Sequence, residues 1–186
     1  MSYFEEMEFK NELRVDLEDG AEFLDCVFES INFEAVNLSN LKILDCTFKN
    51  CNLSNVKLLN SSIRGSSFVD SKIVGVNFSN CLTVQLLSFS SSILNYSVFQ
   101  DLDCVSFDFQ ACSLKEVDFS DSRLHEASFT ECDLTLANFS GSDLRKADFR
   151  RAIGYQIDPV LTKIKGAKFS APEVLGLLTS FEINIS

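Results

Sequence analysis

The sequence predicts a repeat solenoid, and two observations in this 186-residue chain predict it. The first is a period of five. Between Asp118 and Arg151, the residues Phe119, Leu124, Phe129, Leu134, Phe139, Leu144 and Phe149 recur at every fifth position. Such a period fits neither a helix nor a strand, so it reads as an internal repeat. The second is the residue two places before each centre, which is small throughout the run: Val117, Ser122, Ala127, Cys132, Ala137, Ser142 and Ala147.

Followed backwards, the centres run in fives from Phe23 to Phe78, step six to Val84, and continue from Phe89 to Phe149. All 26 are Phe, Leu, Ile, Val or Cys, in a chain that is only 46% hydrophobic. The preceding slot is Ala, Ser, Cys or Val at 20 of them; the exceptions are Ile31, Leu41, Leu82, Leu87, Leu102 and Phe107.

A tandem small–(Asp/Asn)–(Leu/Phe)–x–x array over roughly residues 15 to 169 resembles the pentapeptide-repeat proteins. The resemblance implies an all-β fold, a right-handed quadrilateral β-helix in which each repeat forms one side and four repeats make a turn. Residues about twenty apart then stack on one side, which the sequence can test. With the extra residue placed between Phe78 and Val84, one column reads Phe28, Phe48, Phe68, Phe89, Phe109, Phe129 and Phe149, and Phe169 extends it. The others are equally apolar: Phe33, Leu53, Ile73, Leu94, Leu114, Leu134; Leu17, Leu38, Leu58, Phe78, Phe99, Phe119, Phe139; and Phe23, Ile43, Ile63, Val84, Cys104, Leu124, Leu144. The physical reason is space. Four large centres fill a coil, and the slot beside each corner takes only a small group, since overpacking typically costs about 1–3 kcal/mol. Phe107 is therefore expected to widen the tube locally. Coils stack at about 4.8 Å, and stability adds by nearest neighbours.

Three segments follow in order. Residues 1–16 are acidic, do not keep the phase although the stretch around Phe9 is repeat-like, and read as an N-terminal cap on an open β end. Residues 17–169 are the tube, with a bulge expected at the extra residue near Cys81. Residues 170–186 read as a capping box at Ser170 to Glu173, a short helix carrying Val174, Leu175, Leu177, Leu178 and Phe181, and a final strand with Ile183 and Ile185. That is more apolar surface than a lone short helix carries in water. It resembles the C-terminal module by which Qnr-type members dimerise end to end, implying a homodimer; the alternative is a cap over the chain's own last coil.

Cysteine placement argues against a disulfide framework. Cys26, Cys46, Cys51, Cys112 and Cys132 take the small inward slot, Cys104 is a centre and Cys81 lies at the six-residue step, so they act as buried hydrophobes. Scattered thiols fit a reducing compartment, hence a cytoplasmic protein. The N-terminus lacks the basic and apolar regions of a signal peptide. Residues 73–100 carry no charge, but Asn, Gln and Ser interrupt them and the five-residue phase continues, so no membrane span is expected.

The net charge of −11 is banded. Residues 1–35 carry −9, residues 36–98 carry +3, residues 99–143 carry −8 and residues 144–186 carry +3. Within the second acidic band, Asp101, Asp118 and Asp121 flank two centres on one side, with Asp103 around the corner. Without a basic stripe to release counterions, direct nucleic-acid binding is not expected. Nor is an enzyme: there is one histidine, no phosphate-binding glycine loop and no CxxC, and the carboxylates lie on a convex surface. No cofactor or metal is expected. The six threonines form no outward rank of the kind that ice-binding solenoid faces require.

The resemblance to Qnr-type and microcin-immunity members implies a DNA-mimicking binder of DNA gyrase, with topoisomerase IV beside it, that protects the enzyme from quinolones or peptide poisons. The four aspartates are then the partner-binding strip. A general protein-interaction scaffold using the uncharged band stands as the other reading, because repeat proteins share a fold across unrelated roles.

Overall fold

The chain winds as a right-handed quadrilateral β-helix of about eight turns. The structure, a computed structural model, describes residues 2–15 and 17–181. Strands β1 (Tyr3–Glu5), β3 (Glu22–Leu24), β5 (Lys42–Leu44), β7 (Ser62–Arg64) and β9 (Thr83–Gln85) pair in parallel along one side. Strands β2 (Glu8–Lys10), β4 (Val27–Glu29), β6 (Thr47–Lys49), β8 (Ser67–Val69), β10 (Ser88–Ser90) and β11 (Asp108–Gln110) do so along the next. On that second side β12 (Asp148–Phe149) pairs with β13 (Lys168–Phe169). The other sides are ladders of single bridges such as Asn32↔Asn52 and Val98↔Asp118.

The turns between sides explain the period. At the turn corners the centre's carbonyl accepts from the N–H three residues on, as in Leu124 O from Ala127 N–H at 3.1 Å and Phe129 O from Cys132 N–H at 3.2 Å. At some strand corners that N–H donates instead to a serine of the next coil, as Cys46 N–H does to Ser66 Oγ at 3.2 Å. The residue before that donor takes a positive φ, the requirement of a type II turn. From Asp25 to Arg151 every fifth residue but Asn80 therefore lies in the left-handed region, mostly Asn, Asp, Glu or Ser, with Gly65, Gly75 and Gly141 at equivalent corners. Gly141 (φ +75°) has a further reason: a Cβ there would lie 2.2 Å from Asp121 Oδ1, one turn away.

Inside, the rings stack. Successive centroids in the column from Phe9 to Phe169 are 4.6–5.3 Å apart, with ring planes within 13° of parallel. A second stack, Phe78–Phe99–Phe119–Phe139, meets it edge-on, as in Phe99 against Phe109 at 5.7 Å and 87°. Each such aromatic contact adds about 0.5–1.5 kcal/mol beyond burial. The small slot carries chemistry as well as volume. Ser61, Ser97 and Ser122 each donate from Oγ to the centre carbonyl of an adjacent coil (Leu38, Ile73 and Phe99) at 2.6 Å. Thiols at Cys46 and Cys51 donate in the same way to Phe23 O and Phe28 O. Polar slots are thereby satisfied within the core.

Three expectations change. The segment before residue 17 already coils: Phe4 pairs with Phe23 and Phe9 with Phe28. Phe9 to Phe23 is fourteen residues, one short of three units, and that deletion hides the phase. The extra residue near Cys81 makes no strand bulge. It is absorbed by a 3-10 turn, Phe78–Asn80, in which Asn77 Oδ1 accepts from Ser79 N–H at 2.9 Å, so no centre is displaced. Finally, Ser170 does not cap the following helix with its side chain. Its Oγ accepts from Arg151 N–H at 3.1 Å, one turn back on the coil, and Glu173–Phe181 is a 3-10 helix.

The ring column supplies the first test. Phe109→Ala should lower unfolding stability in urea by about 3–5 kcal/mol. A loss below about 1 kcal/mol would show that this ring is not packed as described.

Candidate functional site

The sides and corners of the coil are mostly self-satisfied, so a functional surface has to be sought where they are not. One corner column runs Gly20, Asn40, Asn60, Asn80, Asp101, Asp121, with Asp19 beside its first member. Its first members form an amide ladder: Asn40 Nδ2 donates to Asp19 Oδ1 at 3.1 Å, and Asn60 Nδ2 to Asn40 Oδ1 at 3.3 Å. Asp101 (φ +57°) and Asp121 (φ +58°) hold the same corner on successive turns. Their N–H groups are used by the coil, donating to Ser120 O and Ser140 O. Carboxylates only accept, so these two cannot extend the ladder. Both are exposed and have no cationic partner among the described residues. Asp118, half-buried beside them, accepts from Ser120 N–H and Asn138 Nδ2, both at 3.0 Å.

Asp103 departs from the expected strip. Arg123 stacks over it one turn on, with Nη1 2.9 Å from Oδ2, which neutralises the charge locally. Much of the remaining acidic band is paired likewise: Glu126 with Lys146 at 2.8 Å, Glu131 with Arg151 at 2.7 Å, and Asp133 with Lys115 at 2.9 Å. Arg145 hydrogen-bonded to Asp143 holds that carboxyl below the usual carboxylate range, and Lys146 does the same for Glu126. The structure therefore brings Asp101, Asp118 and Asp121 together and sets Asp103 apart.

At the C-terminal end, Tyr155 is buried and its ring packs 5.6 Å from Phe149 and 5.7 Å from Phe169, filling a place where the repeat lapses. Burial pushes its hydroxyl up to about 12. The 3-10 helix lies over it: a Cβ on Gly176 would meet Tyr155 O at 2.9 Å, and Leu177 packs against the core. Val174 and Leu178 are half-buried, whereas Leu175 and Phe181 are exposed. Ile183 and Ile185 lie outside the described residues.

A feature that sequence reasoning missed lies on the first side. β9 is the terminal strand of its sheet although the tube continues, and the side resumes only at the bridge Asp103↔Arg123. Between the two rungs is an open groove of about 540 Å³, lined by Leu82, Leu86, Leu102, Asp103 and Val105 among others. A sequence signal for it existed: Leu82, Leu87, Leu102 and Phe107 are four of the six bulky residues in small slots.

Among the described residues no group of three or more His, Cys, Asp or Glu is placed to hold a metal. All seven cysteines are free, and only Cys81 is not fully buried; burial pushes its thiol up to about 12. Among the described residues no helix is long and apolar enough to cross a membrane.

Comparison with known proteins matches these features to one family. Residues 41–119 match a pentapeptide repeat region and residues 108–153 match pentapeptide repeats in eight copies. No curated protein matches the sequence. Among solved structures, HetL is similar, a pentapeptide repeat protein involved in heterocyst differentiation regulation in the cyanobacterium Nostoc sp. strain PCC 7120. It is 18% identical, with a TM-score of 0.69 over 90% of this chain and 84% of that one. A trypsin-treated variant of QnrB1, a plasmid-mediated fluoroquinolone resistance protein, is also 18% identical, with a TM-score of 0.54 over 100% and 99%. At that identity the likeness speaks for the fold. Five-residue sides, small inward slots and left-handed corners agree with it, and the chain belongs to the pentapeptide-repeat family.

Proposed function

We propose that this chain is a non-catalytic, cytoplasmic protein-binding rod whose partner is a type II topoisomerase, DNA gyrase first and topoisomerase IV beside it, engaged in place of DNA. The observation that carries the reading is the Asp101–Asp121 corner, two carboxylates on successive turns left without cations while Asp103, Glu126, Glu131 and Asp133 of the same band are paired. Asp118 adds a third charge on the adjoining side. Nucleic-acid sites attract such a rod through long-range, screened forces, with a Debye length of about 8 Å at physiological salt. The family resemblance and the QnrB1 likeness point the same way. Protection from quinolones or peptide toxins follows from occupying the DNA groove, and the narrow strip, now without Asp103, makes the contact small.

A second reading is supported by a specific observation. Leu86, Tyr96 and Leu136 are exposed apolar side chains at left-handed corners, where bulky residues are strained. A scaffold with an unrelated partner would use them, and HetL carries the same fold in a different setting.

Changing Asp101, Asp118 and Asp121 to Asn separates the two readings. Asn at 101 and 121 keeps the size of Asp and can form an amide rung of its own between the two turns, so the melting temperature should hold or rise. Inhibition of gyrase supercoiling should fall several-fold and, in the wild type, weaken as salt increases. Unaltered inhibition would leave the corner a solubilising feature; a wild type that never inhibits gyrase would leave the scaffold reading.

The exposed Leu175 and Phe181 support a homodimer joined through the C-terminal segment. Sedimentation at tens of micromolar, in the usual range for such assemblies, should read two protomers for the wild type and one for Leu175→Asp. A monomeric wild type would make the segment a cap on its own coil.

A further inference from the structure

The open groove on the first side is a gap in the backbone ladder. One turn further on, the same side is closed by three bonds: Arg123 N–H to Leu102 O at 2.9 Å, Cys104 N–H to Arg123 O at 2.8 Å, and Ser106 N–H to His125 O at 3.0 Å. Their counterparts would join Asp103 N–H to Leu82 O, Val84 N–H to Asp103 O, and Leu86 N–H to Val105 O. None of these is made between the described residues. The adjoining side stays paired, with Asp108 N–H reaching Leu87 O at 3.3 Å.

The cause is internal volume. Phe107 and Leu87 fill slots meant for small groups and are almost completely buried, beside the small centre Cys104. Leu82, in the equivalent slot after the six-residue step, cannot be accommodated and turns outward, 71% exposed. Two rungs are held apart, and each presents main-chain donors and acceptors toward the other. Unpaired backbone groups of this kind are strong, obligatory hydrogen-bonding partners.

The geometry points to this groove as a docking site for an extended peptide strand from a partner protein, carrying alternating aliphatic residues and a basic residue at its end. The strand pairs along β9, by strand addition. Val84 and Leu86 N–H and Leu82 C=O would serve one edge of the strand, and Asp103 N–H with Asp103 and Val105 C=O the other. Its aliphatic side chains meet Leu82, Leu86 (65% exposed) and Val105. Charge complementarity sets the basic residue. Asp103, which lines the groove, is already paired with Arg123. The charge that draws the basic residue is therefore Asp108, exposed and without a cationic partner among the described residues on the next side, within a band carrying −8. This site is separate from the Asp101–Asp121 corner and does not depend on the identity of the partner proposed there.

The test uses the full-length chain and a fluorescein-labelled peptide, acetyl-KVTVTVK-amide. One comparator is N-methylated at alternate amides, and another has Glu in place of both Lys. Anisotropy should show saturable binding of the first probe, with weaker binding of the Glu probe and none of the N-methylated one. At saturation, NMR should show hydrogen exchange at the Val84, Leu86 and Asp103 amides slowed at least about tenfold, a change of about 1.4 kcal/mol or more in protection. The double variant Leu82→Lys, Leu86→Lys alters only exposed side chains and should keep the wild-type circular dichroism while binding the probe at least several-fold more weakly. Equal binding of the N-methylated probe would overturn the proposal by showing mere surface adhesion. Absence of saturable binding up to about 1 mM, the weak limit of specific recognition, would overturn it directly. Protection of the three amides that rises with the chain's own concentration would assign the groove to a second copy instead, and would also overturn it.

Discussion

Everything in this molecule depends on the fixed cross-section of the coil. A side of five residues sets the width, four large centres fill it, and the slot near each corner admits only a small group. Where that rule holds, rings stack at about van der Waals contact and each coil buries the next, from Phe9 to Phe169. The corners enforce it from outside, because a positive φ at nearly every fifth residue leaves no freedom to stretch a side. Slot residues do more than fit. Serine hydroxyls and cysteine thiols return a hydrogen bond to an adjacent coil, tying side-chain identity to the backbone ladder.

That constraint explains what could be read in the sequence. The period, the four columns and the step near Cys81 were legible because a single slip would expose a whole column, and β8 pairs with β10 through Phe68 and Phe89. The first coil was not legible, because one missing residue between Phe9 and Phe23 breaks the count without breaking the stack. Tyr155 was missed because it completes the core from a loop. The bulky slots at Leu82, Leu87, Leu102 and Phe107 were visible as exceptions. Their sequence does not say whether the tube widens or the ladder opens, since that turns on which side chains rotate outward.

Function sits where the repeat is least able to satisfy itself. Some exposed charges are paired across turns, as Asp103 with Arg123 and Glu126 with Lys146, and such pairs add little to stability while cancelling the field only locally. Asp101 and Asp121 remain as acceptors in a column otherwise built of donors and acceptors. The groove beside β9 is the corresponding exception in the backbone. One is an electrostatic opening and the other a hydrogen-bonding one, and they lie on neighbouring sides of the same coils. A scaffold of this family can thus carry distinct contacts without any projecting loop, by local departures from its own rule.

The central claim is that the ladder is in register through Phe68 and Phe89 and broken between Thr83 and Asp103. Cysteine pairs read both at once, because a disulfide needs Cα atoms within about 4.4–6.8 Å, close to the rung spacing. Ser67→Cys with Ser88→Cys should close under mild oxidation, as mapped by mass spectrometry of the native chain, while Thr83→Cys with Asp103→Cys should stay reduced. Closure of the second pair as readily as the first, or failure of the first, would contradict the account.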